Sequence, residues 1–206
     1  PKDVDGFFLD VGGTGTVQFV NQYTQVNGDT SLQGKVMGGA FISNPQIIKE
    51  LGSKVKGVVA GSALPSDATT PEWTAYSDAI KAAFPDQVAN AANIFLAGYY
   101  NNPSAALMGL QAVGGNIDDA AAFQTALNGV EIPTGVGPVT VDGNRQAVGP
   151  NFVVQVTDTG TKTLYTVPDV DQTFGGAFST DTPNPDRENP KCVAGNPPPW
   201  AASITK

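Results

Sequence analysis

Three short apolar runs, each followed by a turn and a helix start, constrain this chain more than any other feature. Gly6-Phe7-Phe8-Leu9-Asp10-Val11 is the first of them. A run this short and this apolar keeps no polar face for water, so it reads as a strand buried on both sides, as in a parallel sheet. Gly34 to Met37 and Val55 to Ala60 repeat the signal. Between the runs lie two helix signals. Val17, Phe19, Val20 and Tyr23 belong to the first, which Asn27-Gly28-Asp29 stops. Asn44-Pro45 opens the second: Asn accepts a bond from a free N–H group, and proline at the first helical position loses none. Ile47, Ile48 and Leu51 give it one apolar face, and Gly52 ends it. Strand and helix in alternation predict an α/β fold.

The middle of the chain is helical and the later part is not. Thr70-Pro71-Glu72 starts a helix by the same logic, with Trp73, Tyr76, Ile80 and Phe84 spaced to face a core. A longer helical region is expected from about Ala92 to Val113, interrupted by Pro103. Asn116 is expected to cap another, Ile117 to Leu127, closed by Asn128-Gly129. Then Pro138 to Val141, Phe152 to Val156 and Thr163 to Val167 read as strands, with turns at Asp142-Gly143 and Thr159-Gly160. From about Asp171 the chain is rich in Pro, Asp, Asn and Gly, and Pro197-Pro198-Pro199 forbids helix and central strand alike. That stretch is either a flexible tail or a strap; Phe178 and Trp200 favour the strap, since aromatic side chains are costly to leave in water.

Charge and composition remove several function classes. The chain has 206 residues, 19 of them acidic and 11 basic, for a net charge of -8. Nucleic acid and anionic lipid both require clustered Lys and Arg, so neither is an expected partner. No histidine is present, which removes the commonest general base and the commonest ligand of a catalytic metal. The single cysteine, Cys192, closes no disulfide within the chain and builds no zinc site. No apolar run reaches the length of about 18 residues that a membrane helix needs, and the residues from Pro1 onward do not read as a signal peptide but go straight into the first strand. A mature secreted protein and a fragment both look like this.

Three local signals bear on chemistry. Asp10-Val11-Gly12-Gly13-Thr14-Gly15-Thr16 follows the first strand and resembles the first phosphate loop of actin-fold sugar kinases. It has no P-loop lysine and no third glycine at the dinucleotide spacing, and no partner motif stands downstream. The plain reading is a strand-to-helix turn that needs glycine for its backbone angles. Tyr99-Tyr100-Asn101-Asn102 reads either as a helix start with aromatic anchors or as a ligand contact. Asp169, Asp171, Asp181 and Asp186 lack the alternate spacing and closing Glu of a calcium loop and read as a solvated acidic stretch. Without His, and without a serine in a nucleophile elbow, no catalytic residue, cofactor or metal is expected.

The ordered set of elements also resembles a known family. Asp3-Val4-Asp5-Gly6-Phe7-Phe8-Leu9, Val55-Lys56-Gly57-Val58-Val59, Gly98-Tyr99-Tyr100-Asn101 with Leu107, Leu110, Val113 and Gly114-Gly115, and the region from Asn116 to Val148 carry the likeness. Together they resemble the C-terminal half of type I periplasmic binding proteins, the branched-chain amino-acid family of ABC transporter substrate-binding proteins. The resemblance implies two α/β lobes with parallel sheets flanked by helices, joined by crossings, and a ligand held between them. It further implies that most of lobe 2 and the returning segment of lobe 1 are present. Residues 1–62 would belong to lobe 2, 63–149 to lobe 1 and 150–170 to the return into lobe 2, with 171–206 as tail or strap. The family's N-terminal half would then be missing, and the isolated chain is expected not to bind a ligand tightly.

The function implied is capture of a small molecule, an amino acid or a related carboxylate or amide, and its delivery to an ABC transporter permease. The expected location is periplasmic or extracytoplasmic, with room for a lipid anchor on residues before Pro1. Cys192 would pair, if at all, with a cysteine of the missing half. Carried over, the ligand contacts are Asp10, Gly12, Gly13 and Thr14 at the first strand end, Met37, Gly38 and Gly39 at the second, and Tyr100 and Asn101 across the cleft. One departure stands out. Amino-acid binders of this family hold the ligand's ammonium with a carboxylate in the second loop, and here Val36-Met37-Gly38-Gly39-Ala40 has none. Either Asp10 takes over or the ligand has no amino group. A ligand-sensing domain of the same fold in a regulator or receptor is the alternative function, with the sugar kinase behind it.

Overall fold

The computed structural model describes residues 4–86, 91–142 and 146–171. The first half holds β1 (Phe7–Leu9), α1 (Thr14–Asn27), β2 (Val36–Gly38), α2 (Pro45–Leu51) and β3 (Val59–Ser62). These strands run parallel, with Phe7 opposite Val36 and Met37 opposite Val59. Three helices follow: α3 (Pro71–Ala83), α4 (Ile94–Ala112) and α5 (Ala120–Asn128). Four antiparallel strands then close the described chain: β4 (Ile132–Thr134), β5 (Gly137–Val141), β6 (Ala147–Val156) and β7 (Thr161–Val170). The long β6 ties the halves together. Its start pairs with β5, its end from Phe152 to Gln155 lies antiparallel to β3, and β7 runs along it. The sheet order is β1-β2-β3-β6-β5-β4, with β7 on β6.

Two apolar cores form around this frame. Val17 and Val20 of α1 and Ile47, Ile48 and Leu51 of α2 cover one face of the parallel strands, meeting Leu9, Val36, Ala60, Val154 and Val156. Val20, Leu32, Val55, Val58 and Val154 are fully buried there. Each such side chain contributes about 1.5–3 kcal/mol relative to exposure. The second core is smaller: Leu64, Trp73, Tyr76, Ile80, Ala91, Ala92 and Ala97, under α3 and the start of α4. Half-buried Val136 packs against both.

Helix starts follow the residues that predict them. Asn44 accepts from Gln46 N–H at 3.1 Å, and Thr70 from Trp73 N–H at 3.1 Å, each ahead of a proline. Elsewhere the structure departs from the expected elements. β3 begins at Val59 and not at Val55, because the N–H groups of Val55 and Val58 donate to the Gly52 and Val55 carbonyls in successive turns; the chain first meets β6 where Gly57 N–H donates to Val156 O and Val58 O accepts from Val156 N–H. Phe84 caps the end of α3 and is exposed, so the apolar face stops at Ile80. Pro103 does not interrupt α4: it removes one helical N–H and the helix continues on both sides. Asp119, not Asn116, caps α5, accepting from Ala121 and Ala122 N–H groups, while Asn116 turns the preceding loop through Asp118 N–H. Tyr99 to Asn102 lie inside α4 and not at a helix start. β4 is a strand that the sequence pattern did not signal. Cys192 and the rest of the Pro-rich stretch from residue 172 lie outside the described residues.

Candidate functional site

Parallel strands bring their C-terminal ends to one edge. Leu9 pairs with Gly38 and Gly38 with Ala60, so the turns after β1, β2 and β3 stand side by side. From β3 the chain passes directly into the second core, where Leu64 is buried. The strand-end edge therefore faces the second core. A ring contact spans the gap: Phe41, in the turn after β2, meets Phe95, in the first turn of α4, with centroids 6.1 Å apart.

The turns after β1 and β2 interlock through two glycines. A Cβ on Gly39 would overlap the Asp10 carboxylate. A Cβ on Gly12 would stand 3.2 Å from the tip of the Phe41 ring, tighter than side chains ordinarily pack. Both side chains sit where only glycine leaves them room. Thr16, buried, anchors the first turn by donating to Val11 O. Gly13 then enters α1 at φ 59, in the left-handed region that glycine tolerates.

Gly13 also leaves α1 without a side-chain cap. The other four described α-helices each have one, from Asn44, Thr70, Asn93 and Asp119. Free N–H groups at a helix start carry partial positive charge and suit an anion. Exposed Thr14 opens that helix. Asp10 is exposed too, and among the described residues its carboxylate has no hydrogen-bond or ion-pair partner.

The predicted site residues divide into three groups. Asp10, Gly12, Gly13, Thr14 and Gly39 come together at the strand ends, with buried Gly38 packed on Ile42 just behind. Met37 does not join them. Alternation along β2 turns it to the open sheet face, where it is 60% exposed and lines a groove of about 500 Å³ with Phe8 and Val59. Tyr100 meets Tyr76 edge-on at 5.1 Å, against α3. Asn101 lines a different cleft, about 390 Å³, between α4 and the strands that hold Ile132, Val139 and Asn151. None of the strand-end residues lines that cleft. Phe41 and Phe95 escaped the sequence reading; the available signal was an aromatic residue two positions beyond Gly39 in the loop that lacks an acid.

Among the described residues, Tyr76 has surroundings that clearly move its titration. Burial, with Tyr100 adding, pushes its hydroxyl up to about 12. That hydroxyl donates to Ala91 O at 2.9 Å. It anchors the second core and takes no part at the strand ends. Among the described residues no group of three His, Cys, Asp or Glu could hold a metal ion, and no helix is long and apolar enough to cross a membrane.

In open α/β sheets ligands commonly bind outside the carboxyl ends of the strands, and here those ends carry open turns that face a second helical core. The sequence profile of the periplasmic binding protein family matches residues 2–161, and the chain belongs to that family. The family is one of binding proteins, so the turn from Asp10 to Thr16 is not the phosphate loop of a sugar kinase. Solved structures share the fold. An ABC transporter substrate-binding protein from Sphaerobacter thermophilus matches with TM-score 0.72 at 20% identity, over 82% of this chain and 46% of its own. A solute-binding protein of R. palustris in complex with benzoate gives 0.71 at 18%, over 82% and 45%. A leucine-binding protein from Thermotoga maritima gives 0.61 at 16%, over 79% and 44%. The chain thus spans a little under half the length of the solved structures it matches. No curated protein matches it.

Proposed function

We propose that this chain serves an extracytoplasmic solute-binding protein, which captures a small molecule between two lobes and delivers it to an ABC importer. The ligand is an amino acid or a related carboxylate or amide. The observation that carries this reading is the uncapped start of α1 beside Asp10 and Gly39, at a strand-end edge that faces a second core. The lobe boundaries that go with it are residues 1–62 and 150–170 for one lobe and 63–149 for the other. Asp10, Gly12, Gly13, Thr14, Gly38 and Gly39 serve on lobe 2, with Met37 as a more distant contact; Tyr100 and Asn101 stay assigned to lobe 1 as hinge-side contacts. Binding proceeds by closure: the ligand favours the state in which both lobes touch it. Neighbouring solved structures include complexes with benzoates and a leucine-binding protein, which supports a carboxylate.

Isothermal calorimetry on the natural full-length protein that carries this chain tests the reading. Amino acids, benzoates and short-chain amides form the panel. At least one carboxylate should bind with a micromolar constant or better. Thr14→Pro, which removes a backbone donor at the first position of α1 where proline fits the helix, should weaken it at least tenfold. Failure of every carboxylate to bind would remove the reading.

A further inference from the structure

We propose that Ser66 and Asp67 are positioning residues for closure: they clamp the first crossing between the lobes to β7, so that this crossing turns only at Ala68 and Thr69. The proposal rests on the solute-binding reading with its lobe boundaries, and adds what sets the angle from which the cleft closes.

The first crossing runs from the end of β3 to the start of α3. Its opening steps are fixed. Ser62 Oγ donates to Leu64 O at 3.1 Å and accepts from Leu64 N–H at 3.2 Å, and Leu64 and Pro65 are buried. Ser66 then meets Thr161, the first residue of β7, in a reciprocal pair. Ser66 N–H donates to Thr161 Oγ1 at 2.9 Å and Thr161 N–H to Ser66 Oγ at 2.6 Å, with the two hydroxyls 3.0 Å apart. The Asp67 carboxylate takes both donors of Thr163, the N–H at 2.8 Å and the hydroxyl at 2.7 Å. Gly160 permits the approach, since a Cβ there would overlap Ser66 Oγ. These bonds join positions 95 and 96 apart in the chain, so no local turn accounts for them.

Thr70 anchors the far side. Its hydroxyl donates to Gly135 O at 2.8 Å and accepts from Trp73 N–H as the cap of α3. Among the described residues no hydrogen bond holds Ala68 or Thr69 between the two anchors, and Ala68 only packs against the second core. Rotation of one lobe against the other is absorbed by the few residues that nothing holds, and here there are two.

The strands β6 and β7 cross at a matched defect. Val148 of β6 pairs with β5, and Phe152 with β3. Between them, Gly149 pairs with Val170 and Asn151 with Val167, leaving Pro150 on β6 against Pro168 and Asp169 on β7. Asp169 has φ 50, a left-handed conformation uncommon outside glycine. Neither proline brings an N–H to the ladder, and a bulge bends the strand that carries it. Thr161 and Thr163 lie on the β3 side of this defect. The clamp therefore ties the first crossing to the part of β7 that moves with lobe 2. Released from it, residues 66–69 become a slack connection and the open state spreads over many angles.

Two measurements on the natural full-length protein, both without ligand, test the clamp. Hydrogen exchange reads the bonds: the Thr163 N–H should exchange roughly ten- to hundredfold faster in Asp67→Ala, as loss of a bond to a charged acceptor implies. Electron–electron resonance between spin labels reads the lobe angle. The labels sit on Val26→Cys of α1 and Lys81→Cys of α3, both exposed, with the native cysteines replaced by serine. Asp67→Ala and Thr163→Val should each widen the distance distribution about twofold, because the open state then samples more angles. Thr163→Ser keeps both donors and should match the parent. Faster exchange with an unchanged width overturns the proposal, since the bonds would then hold structure without setting the angle; unchanged exchange in Asp67→Ala overturns it as well. Should Asp67→Ala fail to fold, Thr163→Val, which removes the hydroxyl bond alone, decides by the same width. Failure of the carboxylates to bind in calorimetry would remove the solute-binding reading, while an unchanged width with carboxylates binding would remove the clamp alone.

Discussion

The two cores of this molecule are built to different degrees of completeness. In the first, α1 and α2 close over the parallel strands, and the largest fully buried side chains of the described chain, including Val20, Leu32, Ile42 and Val55, all lie there. In the second, α4 is strongly apolar yet buries only Ala97 and Gly109 along its 19 residues, and α5 buries none. Phe95, Tyr99, Leu107 and Ile117 remain exposed there. A helix that is apolar on every side is normally surrounded by other elements. The first region buries one face of its strands within the described residues and leaves Phe8 and Met37 open on the other, so the strands are not buried on both sides as their apolar runs predict; the second region leaves most of α4 uncovered. The solved relatives, about twice as long, share the fold with this chain over less than half their length.

The sharpest way to break that comparison is to cut into the first core. Ile42 is 1% exposed and its branched side chain fills the space left open by Gly38. Ile42→Ala should cost about 2–5 kcal/mol, the range for a cavity left by a large aliphatic side chain. Urea denaturation followed by circular dichroism measures it. A loss below about 1 kcal/mol would mean that the first core is as loosely packed as the second.

A smaller effect tests the second core where it is best ordered. Tyr76→Phe removes the bond to Ala91 O and should cost about 1 kcal/mol at neutral pH. The same hydroxyl has its pKa raised by burial to about 12, against an ordinary value of 10.0. The folded state therefore holds the neutral hydroxyl after the unfolded chain has begun to ionise. That contribution is fully present below pH 10 and is lost as pH rises through about 12. Thermal midpoints measured from pH 9 to pH 12 should fall more steeply for the native protein than for Tyr76→Phe. Parallel curves would show Tyr76 to be open to water.

What could be read from the sequence follows the same division. Caps and short apolar runs announced β1, α1, α2 and α3, because Asn44-Pro45, Thr70-Pro71 and Gly12-Gly13 are local signals with local causes. β4 and the start of α5 were misjudged: a three-residue strand holds too few side chains to show a period, and Asn116 and Asp119 are both competent caps. Met37 was grouped with the strand-end glycines, since linear proximity hides the alternation that turns it to the other face. The site's aromatic residues were missed for a related reason. The contact between Phe41 and Phe95 joins positions 54 residues apart, and only folding brings the turn after β2 to the start of α4.

The smallest expected effect is the most telling for the comparison. Leu107 is 64% exposed in the middle of α4, and Ile117 is 65% exposed in the loop ahead of α5. If nothing covers these side chains, Leu107→Ala and Ile117→Ala remove no buried contact, and each should change stability by less than about 0.5 kcal/mol, within the range of surface substitutions. Alanine is the better helix former at position 107, which offsets even that small change. The measurement is made on the 206-residue chain, by urea denaturation, and again on the natural full-length protein that carries it. A loss of about 2 kcal/mol or more in the natural protein, against none in the 206-residue chain, would show that α4 is buried there against residues outside these 206. An equally small effect in both would show that the apolar side chains of α4 face water in the working molecule, and the contrast between the two cores would then belong to the protein itself.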